Sequence, residues 1–233
     1  MPARGKLIVL EGIDGSGKHT QLEMLARAMR ERGIPHATID FPRYDGFFGR
    51  LIAEYLNGKF GTLHAVDARF SALLFAGDRL ENKKQLEALL DEGKLVLADR
   101  YIASNLAHQG ARVSVSRQRE FRKWLEQLEY DIFRLPREDL VIYLRLPATR
   151  AQELIHRKRA RTYTRRRKDL QEASRKHLEK AAQIFEQLAR QASWSTVNCM
   201  EPRKNRVRSP EEIHGDIMAI LQARILAPGG EEA

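Results

Sequence analysis

The sequence predicts an α/β fold: a five-stranded parallel sheet flanked by helices on both faces. Three observations point there. Five short apolar runs of strand length recur along the 233 residues. Between them lie longer stretches whose apolar residues repeat at helical spacing. The first run passes at once into a glycine-rich turn that opens a helix, and parallel sheets put such turns at the carboxyl edge, where ligands bind. No internal repeat, no Pro/Gly/Ser linker and no break in the alternation divides the chain, so residues 1–226 read as one domain. Residues 227–233, APGGEEA, read as a frayed tail.

The elements follow in order. KLIVLE (6–11) is a buried strand, and GIDGSG turns into an amphipathic helix that Gly33 ends. HATIDF (36–41) is the second strand. A helix is expected around Phe47 to Leu56, then a single long one from Asp67, a suitable N-cap, to Glu92, with Gly93 as its stop. KLVLADR (94–100) is the third strand. Helices are expected over Ile102 to Gly110 and Ser116 to Phe133, and DLVIYLRL (139–146) is the fourth strand. Another helix runs from Pro147 into a basic segment, and Asp169 to Ala192 is helical again. WSTVNCM (194–200) is the fifth strand. SPEE (209–212) combines an N-cap, Pro at the first helical position and Glu three residues after the cap, so it starts the last helix.

Composition narrows the function classes. The net charge is +10, but the segment Arg157 to Lys168, RKRARTYTRRRK, holds eight Lys/Arg and no acid, leaving +2 elsewhere. A charge so local argues against a broad nucleic-acid-binding surface, although a nucleic-acid-binding protein using this run as its contact is the competing class. No apolar stretch approaches the length of a membrane span, so no membrane association is expected. The single cysteine, Cys199, excludes an intramolecular disulfide and suits the cytoplasm.

EGIDGSGKHT (11–20) nearly completes the phosphate-binding pattern G-x-x-x-x-G-K-[ST]. Between a buried strand and a helix, such a loop aims backbone N–H groups and the helix dipole at phosphates, with Lys18 in reach of their outer oxygens. His19, however, stands where a hydroxyl should bind Mg2+, and neutral imidazole is a poor partner for that hard cation. Asp99 closes the third strand after four apolar residues. There a carboxylate can orient Mg2+ or its waters, or simply cap a turn.

GIDGSGK, DFPRY, LLFAGDR, DRYIASNLAHQG and DLQEASRKHLEKA, in this order and spacing, resemble bacterial thymidylate kinase from about Lys6 to Leu221. FPRY together with DRY-x-x-S-N is more specific than the phosphate loop alone. The resemblance implies a P-loop kinase fold, ATP as phosphoryl donor, Mg2+, and thymidine monophosphate (dTMP) as acceptor, in a cytoplasmic homodimer. Gly12, Ile13, Asp14, Gly15, Ser16, Gly17, Lys18, His19 and Thr20 would form the ATP phosphate loop. Phe75 would stack on thymine while Arg79 and Gln109 bond its polar edge. Phe41, Tyr44, Arg100, Ser104, Asn105 and His108 would line the sugar and phosphate. Asp14, Asp99 and Glu172 would surround the metal and the acceptor.

The basic segment, residues 156–168, would be a lid over the phosphates. Gly15 occupies a place where some members carry an arginine, so Arg157, Arg159 and Arg161 are the expected substitutes, acting with Lys18, Asp14, Asp99 and Arg100. His108 replaces a tyrosine near the sugar 2′ position, which bears on discrimination against ribonucleotides. A kinase for another pyrimidine monophosphate (dUMP, dCMP or UMP) is the alternative within the enzymes. Cytosine is disfavoured because its amino group would meet Arg79, also a donor.

Overall fold

The computed structural model describes residues 4–157, 175–201 and 204–227; of His156 and Arg157 it describes the backbone alone. Five parallel strands form the sheet: β1 (Leu7–Glu11), β2 (His36–Asp40), β3 (Leu95–Asp99), β4 (Leu140–Arg145) and β5 (Trp194–Asn198), in the order β2-β3-β1-β4-β5. β1 lies at the centre and every one of its residues is buried, four apolar side chains between two helical layers followed by Glu11. The chain leaves β1 toward β2 and leaves β3 toward β4, in opposite directions. The crevice where a parallel sheet binds ligands therefore opens between β1 and β3. The registers Leu10↔Asp99 and Asp40↔Asp99 bring three strand ends to that edge.

The helices are α1 (Lys18–Glu31), α2 (Phe47–Leu56), α3 (Ala68–Glu81), α4 (Lys83–Asp91), α5 (Ile102–Gly110), α6 (Val115–Glu126), α7 (Ala148–Arg157), α8 (Arg175–Leu188) and α9 (Pro210–Leu221). Their ends follow the local chemistry. Asp67 caps α3 by accepting from the N–H groups of Arg69 (2.8 Å) and Phe70 (3.2 Å). Ser209 and Glu212 form the reciprocal capping box of α9, with Pro210 at its first position. At the end of α1, Gly33 turns left-handed (φ 66°), and Ile34 N–H reaches back to Met29 O at 3.0 Å.

Three expectations need correction. The single helix over 67–92 is two, because Asn82 leaves helical geometry (φ −97°, ψ 2°) while its side chain bonds Asp78 O at 2.8 Å. The apolar period runs through that break unchanged, which hides it. The helix expected over 116–133 starts at Val115, behind Ser114, and ends as a π-helical turn over Gln127–Ile132. The fifth strand stops at Asn198, and Met200–Glu201 instead pairs antiparallel with Arg206–Val207 in a small hairpin. The remaining strand boundaries shift by one residue, Arg100 leaving β3 through a left-handed turn (φ 69°). Of the helix expected over 169–192, Arg175–Leu188 is described, and residues 169–174 and 228–233 lie outside the described residues.

Most apolar side chains form one core around the sheet. A second, smaller cluster of Ile52, Tyr55, Leu56, Leu63, Val66 and Leu74 ties α2 to α3, with Tyr44 and Phe75 packed against it. Among the described residues no helix is long and apolar enough to cross a membrane.

Gly49 sets how closely α2 approaches the FPRY loop: a methyl group added there would lie 1.7 Å from Arg43 O. Gly49→Ala gains about 1 kcal/mol of helix propensity. Overpacking against a backbone atom costs about 1–3 kcal/mol, so a net loss of stability is expected in urea unfolding. An unchanged or raised midpoint would show that the loop yields freely.

Candidate active site

The turn after β1 is built for close backbone approach. Gly15 (φ 85°) lies so near α7 that a Cβ would stand 2.5 Å from Ala151 O and 3.0 Å from Ile155 Cγ1. Gly17 (φ 98°) caps α1 without a side chain, and no acidic residue occupies that helix's first turn. The first-turn N–H groups therefore keep the orientation and positive potential that attract an anion. Lys18 is buried and folds back, its Nζ donating to Gly12 O (2.9 Å) and Ile13 O (3.1 Å). Burial, and then the charge of Arg100, push its pKa down to about 8 against the pull of Asp99, Asp14 and Glu11.

Glu11 joins the two halves of the crevice. Its Oε1 accepts from the backbone N–H groups of Tyr101 (2.9 Å) and Ser104 (2.9 Å), and its Oε2 from Ser104 Oγ (2.6 Å). It thus caps the start of α5 from the end of β1. Burial raises its pKa, opposed by Ser104 and Arg100. Arg100 reaches Asp14 Oδ1 (2.5 Å) and Ser104 Oγ (3.1 Å), which brings DRY and the phosphate loop together.

His108, one turn further along α5, is buried with its Nε2 4.0 Å from Asp14 Oδ2. Burial holds its pKa well below the usual imidazole range, so the ring is neutral and the contact is no ion pair. Neither ring nitrogen has a hydrogen-bond partner among the described residues. Its ring centroid lies 5.6 Å from that of His177, which burial pushes down to about 4.

Asp99 Oδ1 is buried without a partner among the described residues, as is Ser16 Oγ. Asp40, paired in register with Asp99, has a pKa raised by burial and then by Asp99 itself. His19 is exposed and faces Glu23 at 3.5 Å, and Thr20 is exposed too. The described residues hold no cluster of three or more His, Cys, Asp or Glu suited to a metal ion. A cation that keeps its waters and rides on phosphates needs only one or two carboxylates, which the orphaned Asp99 oxygen fits. Asp14 is already engaged by Arg100, and Glu172 lies outside the described residues.

The second half of the crevice is lined by α3 and α5. Arg79 and Glu129 form a buried bidentate pair (2.5 and 2.7 Å), and Asn105 Nδ2 donates to the same carboxylate at 3.0 Å. Phe75 meets Tyr55 edge-on at 6.4 Å, and Phe41 tilts against Tyr101 at 5.6 Å. Asp78, pushed up to about 7 by burial, accepts from Arg43 N–H (3.1 and 3.2 Å) and so holds the FPRY loop to α3. Gln109 Oε1 accepts from Ser71 Oγ and Arg112.

Glu11, Asp78, Arg112 and Glu129 escape a reading of the sequence as site residues. Asp78 lies inside LLFAGDR and Glu11 ends a strand, so each had a signal. Glu129 had none, being one acid among several in LEQLEY. Arg159 and Arg161 lie outside the described residues, and Arg157 ends α7.

The family model described as thymidylate kinase matches residues 10–209. A probable thymidylate kinase of Pyrococcus abyssi is 37% identical over 229 residues, 96% of this chain and 98% of that protein. The thymidylate kinase of Mycobacterium tuberculosis is 33% identical over 186 residues, 79% of this chain and 86% of that protein. Among solved structures, the thymidylate kinase of Candida albicans superposes with a TM-score of 0.71 at 26% identity, over 96% of this chain and 93% of that one.

Lys18 yields a test of the phosphate loop. With a pKa near 8 it is half neutral at pH 8, and a bound polyphosphate favours its charged form. Binding a nucleoside triphosphate at pH 8 should take up roughly half a proton, vanishing in Lys18→Met. Calorimetry in buffers of different ionisation enthalpy measures it. Equal uptake in Lys18→Met would place the titration on another group.

Proposed function

The chain belongs to the thymidylate kinase family and transfers the γ-phosphoryl group of ATP to dTMP, giving dTDP and ADP; on that premise we propose how its own side chains share the task. One observation carries the proposal: Lys18, Arg100, Asp14 and the unpartnered oxygen of Asp99 converge at the carboxyl ends of β1 and β3. The acceptor phosphate is already anionic, so a strong base is unnecessary, and the work is to align two repelling polyanions. Lys18 exchanges its carbonyl partners for the phosphates of ATP, while Arg100, steadied by Asp14 and Ser104, holds the acceptor phosphate. Arg157, Arg159 and Arg161 of the basic segment neutralise the transferring group, acting as a lid.

The base lies on Phe75, with Arg79 and Gln109 at its polar edge, and Phe41, Tyr44, Asn105 and His108 around the sugar and phosphate. The fixed Arg79–Glu129 fork supports this reading, since a guanidinium held by a buried carboxylate presents its remaining donors in one direction. Mg2+, where bound, lowers the charge on the phosphates. Asp99 would hold it, directly or through water, with Asp14 and Glu172 as outer support. We further propose a cytoplasmic homodimer, in keeping with Phe70, Leu73 and Leu80, which α3 leaves exposed along its outer face.

Two measurements test these assignments. In a coupled ADP-release assay across dTMP, dUMP, dCMP, UMP and dGMP, dTMP should give the highest kcat/KM. Arg79→Ala would strand a buried Glu129 at a cost of about 3–5 kcal/mol. Arg79→Lys is the cleaner variant: it keeps the charge, loses the fork, and should lower kcat/KM for dTMP by about 10–100-fold. A better turnover of dCMP or UMP by the wild type would refute the base assignment.

For the metal, His19→Thr should remain active, whereas Asp99→Asn should need more Mg2+ and turn over far more slowly. The readout is kcat against free Mg2+ at saturating ATP. Collapse of His19→Thr beside a nearly normal Asp99→Asn would move the metal's support from the aspartate to the histidine.

A further inference from the structure

We propose that Arg112, one turn beyond the DRY helix's last site residue, is a positioning residue that sets which end of the Gln109 amide faces the base, and hence whether a keto or an amino group is accepted. This rests on the proposed function, in which Gln109 lies at the base edge. Gln109 is buried, and its Oε1 stands 2.9 Å from Arg112 Nη1 and 3.0 Å from Ser71 Oγ. Nη1 also reaches Ser71 Oγ (2.5 Å) and Tyr55 OH (3.1 Å), and Nη2 donates to Val66 O, so the guanidinium is pinned between α2, the segment before α3, and α5.

A guanidinium has donors only, whereas a hydroxyl both donates and accepts. Turning the amide over would set the Gln109 NH2 group against Arg112 Nη1, donor to donor, in a buried place where that contact is costly. Ser71 enforces nothing, because its hydroxyl satisfies either end of the amide. Arg112 alone therefore commits Oε1 to the protein and leaves Nε2, a donor, for a ligand. At the 4-position of the base a donor suits the carbonyl oxygen of thymine and repels the exocyclic amino group of cytosine. At N3 the preference would reverse, so this selection sets Nε2 against the 4-position. Arg79 is a donor as well, so the two side chains select the same kind of edge. The arginine need not touch the substrate for this.

The test compares kcat/KM for dTMP and dCMP at saturating ATP in the wild type, Arg112→Met and Ser71→Ala. Arg112→Met frees the amide to turn its oxygen toward an amino group, so the dTMP-to-dCMP ratio should shrink by about tenfold or more. Ser71→Ala, which leaves the guanidinium in place, should keep the ratio within about twofold of wild type. A purely structural role would lower both substrates together and leave the ratio unmoved.

A folded Arg112→Met with the wild-type ratio, or a Ser71→Ala that relaxes it as far as Arg112→Met does, overturns the inference. Should Arg112→Met fail to fold, as its melting curve reveals, Gln109→Glu takes its place. One carboxylate oxygen then pairs with Arg112 and the other presents an acceptor, so the ratio should again shrink; an unchanged ratio overturns the inference. A wild type that turns over dCMP faster than dTMP strikes instead at the substrate assignment on which the inference rests.

Discussion

The carboxylate of Glu11 is the joint on which the crevice depends. A buried charge carries an effective penalty of several kcal/mol, and the upward shift of this carboxyl's pKa records that penalty. What offsets it is two backbone N–H groups and a hydroxyl at the start of α5, together with that helix's dipole. The end of β1 and the beginning of α5 are thereby held at hydrogen-bond distance. Arg100 leaves β3 in a left-handed turn that few non-glycine residues adopt, and its guanidinium arrives beside Asp14. Without that carboxylate the start of α5 would lose its tie to β1, and the sheet register and the Arg100–Asp14 pair alone would hold the phosphate loop to the DRY turn.

The same device recurs in the second half of the crevice, where acids buried behind the site hold the groups that face it. Glu129 fixes Arg79 and Asn105 together, and Asp78 holds the backbone of the FPRY loop to α3. The sheet supplies the edge, and the buried acids supply the aim of each side chain. Their pairing also explains how so many ionisable groups share a small volume. Lys18 is depressed toward neutrality and His108 is neutral, so fewer charges face one another there than a formal count suggests.

Much of this was legible in the sequence because local chemistry and local structure agree there. All five strands, the Asp67 cap, the Gly33 stop and the SPEE box follow from short-range rules. GIDGSGK and DRYIASN lie where an uninterrupted apolar strand ends, and the registers of β1 and β3 bring them together. What stayed hidden depends on partners distant in the chain. Glu129 is ordinary until Arg79, 50 residues earlier, meets it inside the protein. The break at Asn82 leaves the apolar period intact, and the π-turn after Glu126 changes only the hydrogen-bond step, so composition registers neither.

The tight approach of Gly15 to α7 has a consequence for how this sequence can change over time. The backbone oxygen of Ala151 occupies the space that any side chain at residue 15 would need. An arginine cannot enter the loop there by one substitution, because the obstacle is main chain and no trimming of a neighbouring side chain removes it. Positive charge lost from the segment that follows α7 would have no simple route back into the loop. On the division of labour proposed above, a lineage with this geometry keeps its basic segment, because a side chain at residue 15 needs the backbone of α7 to move first.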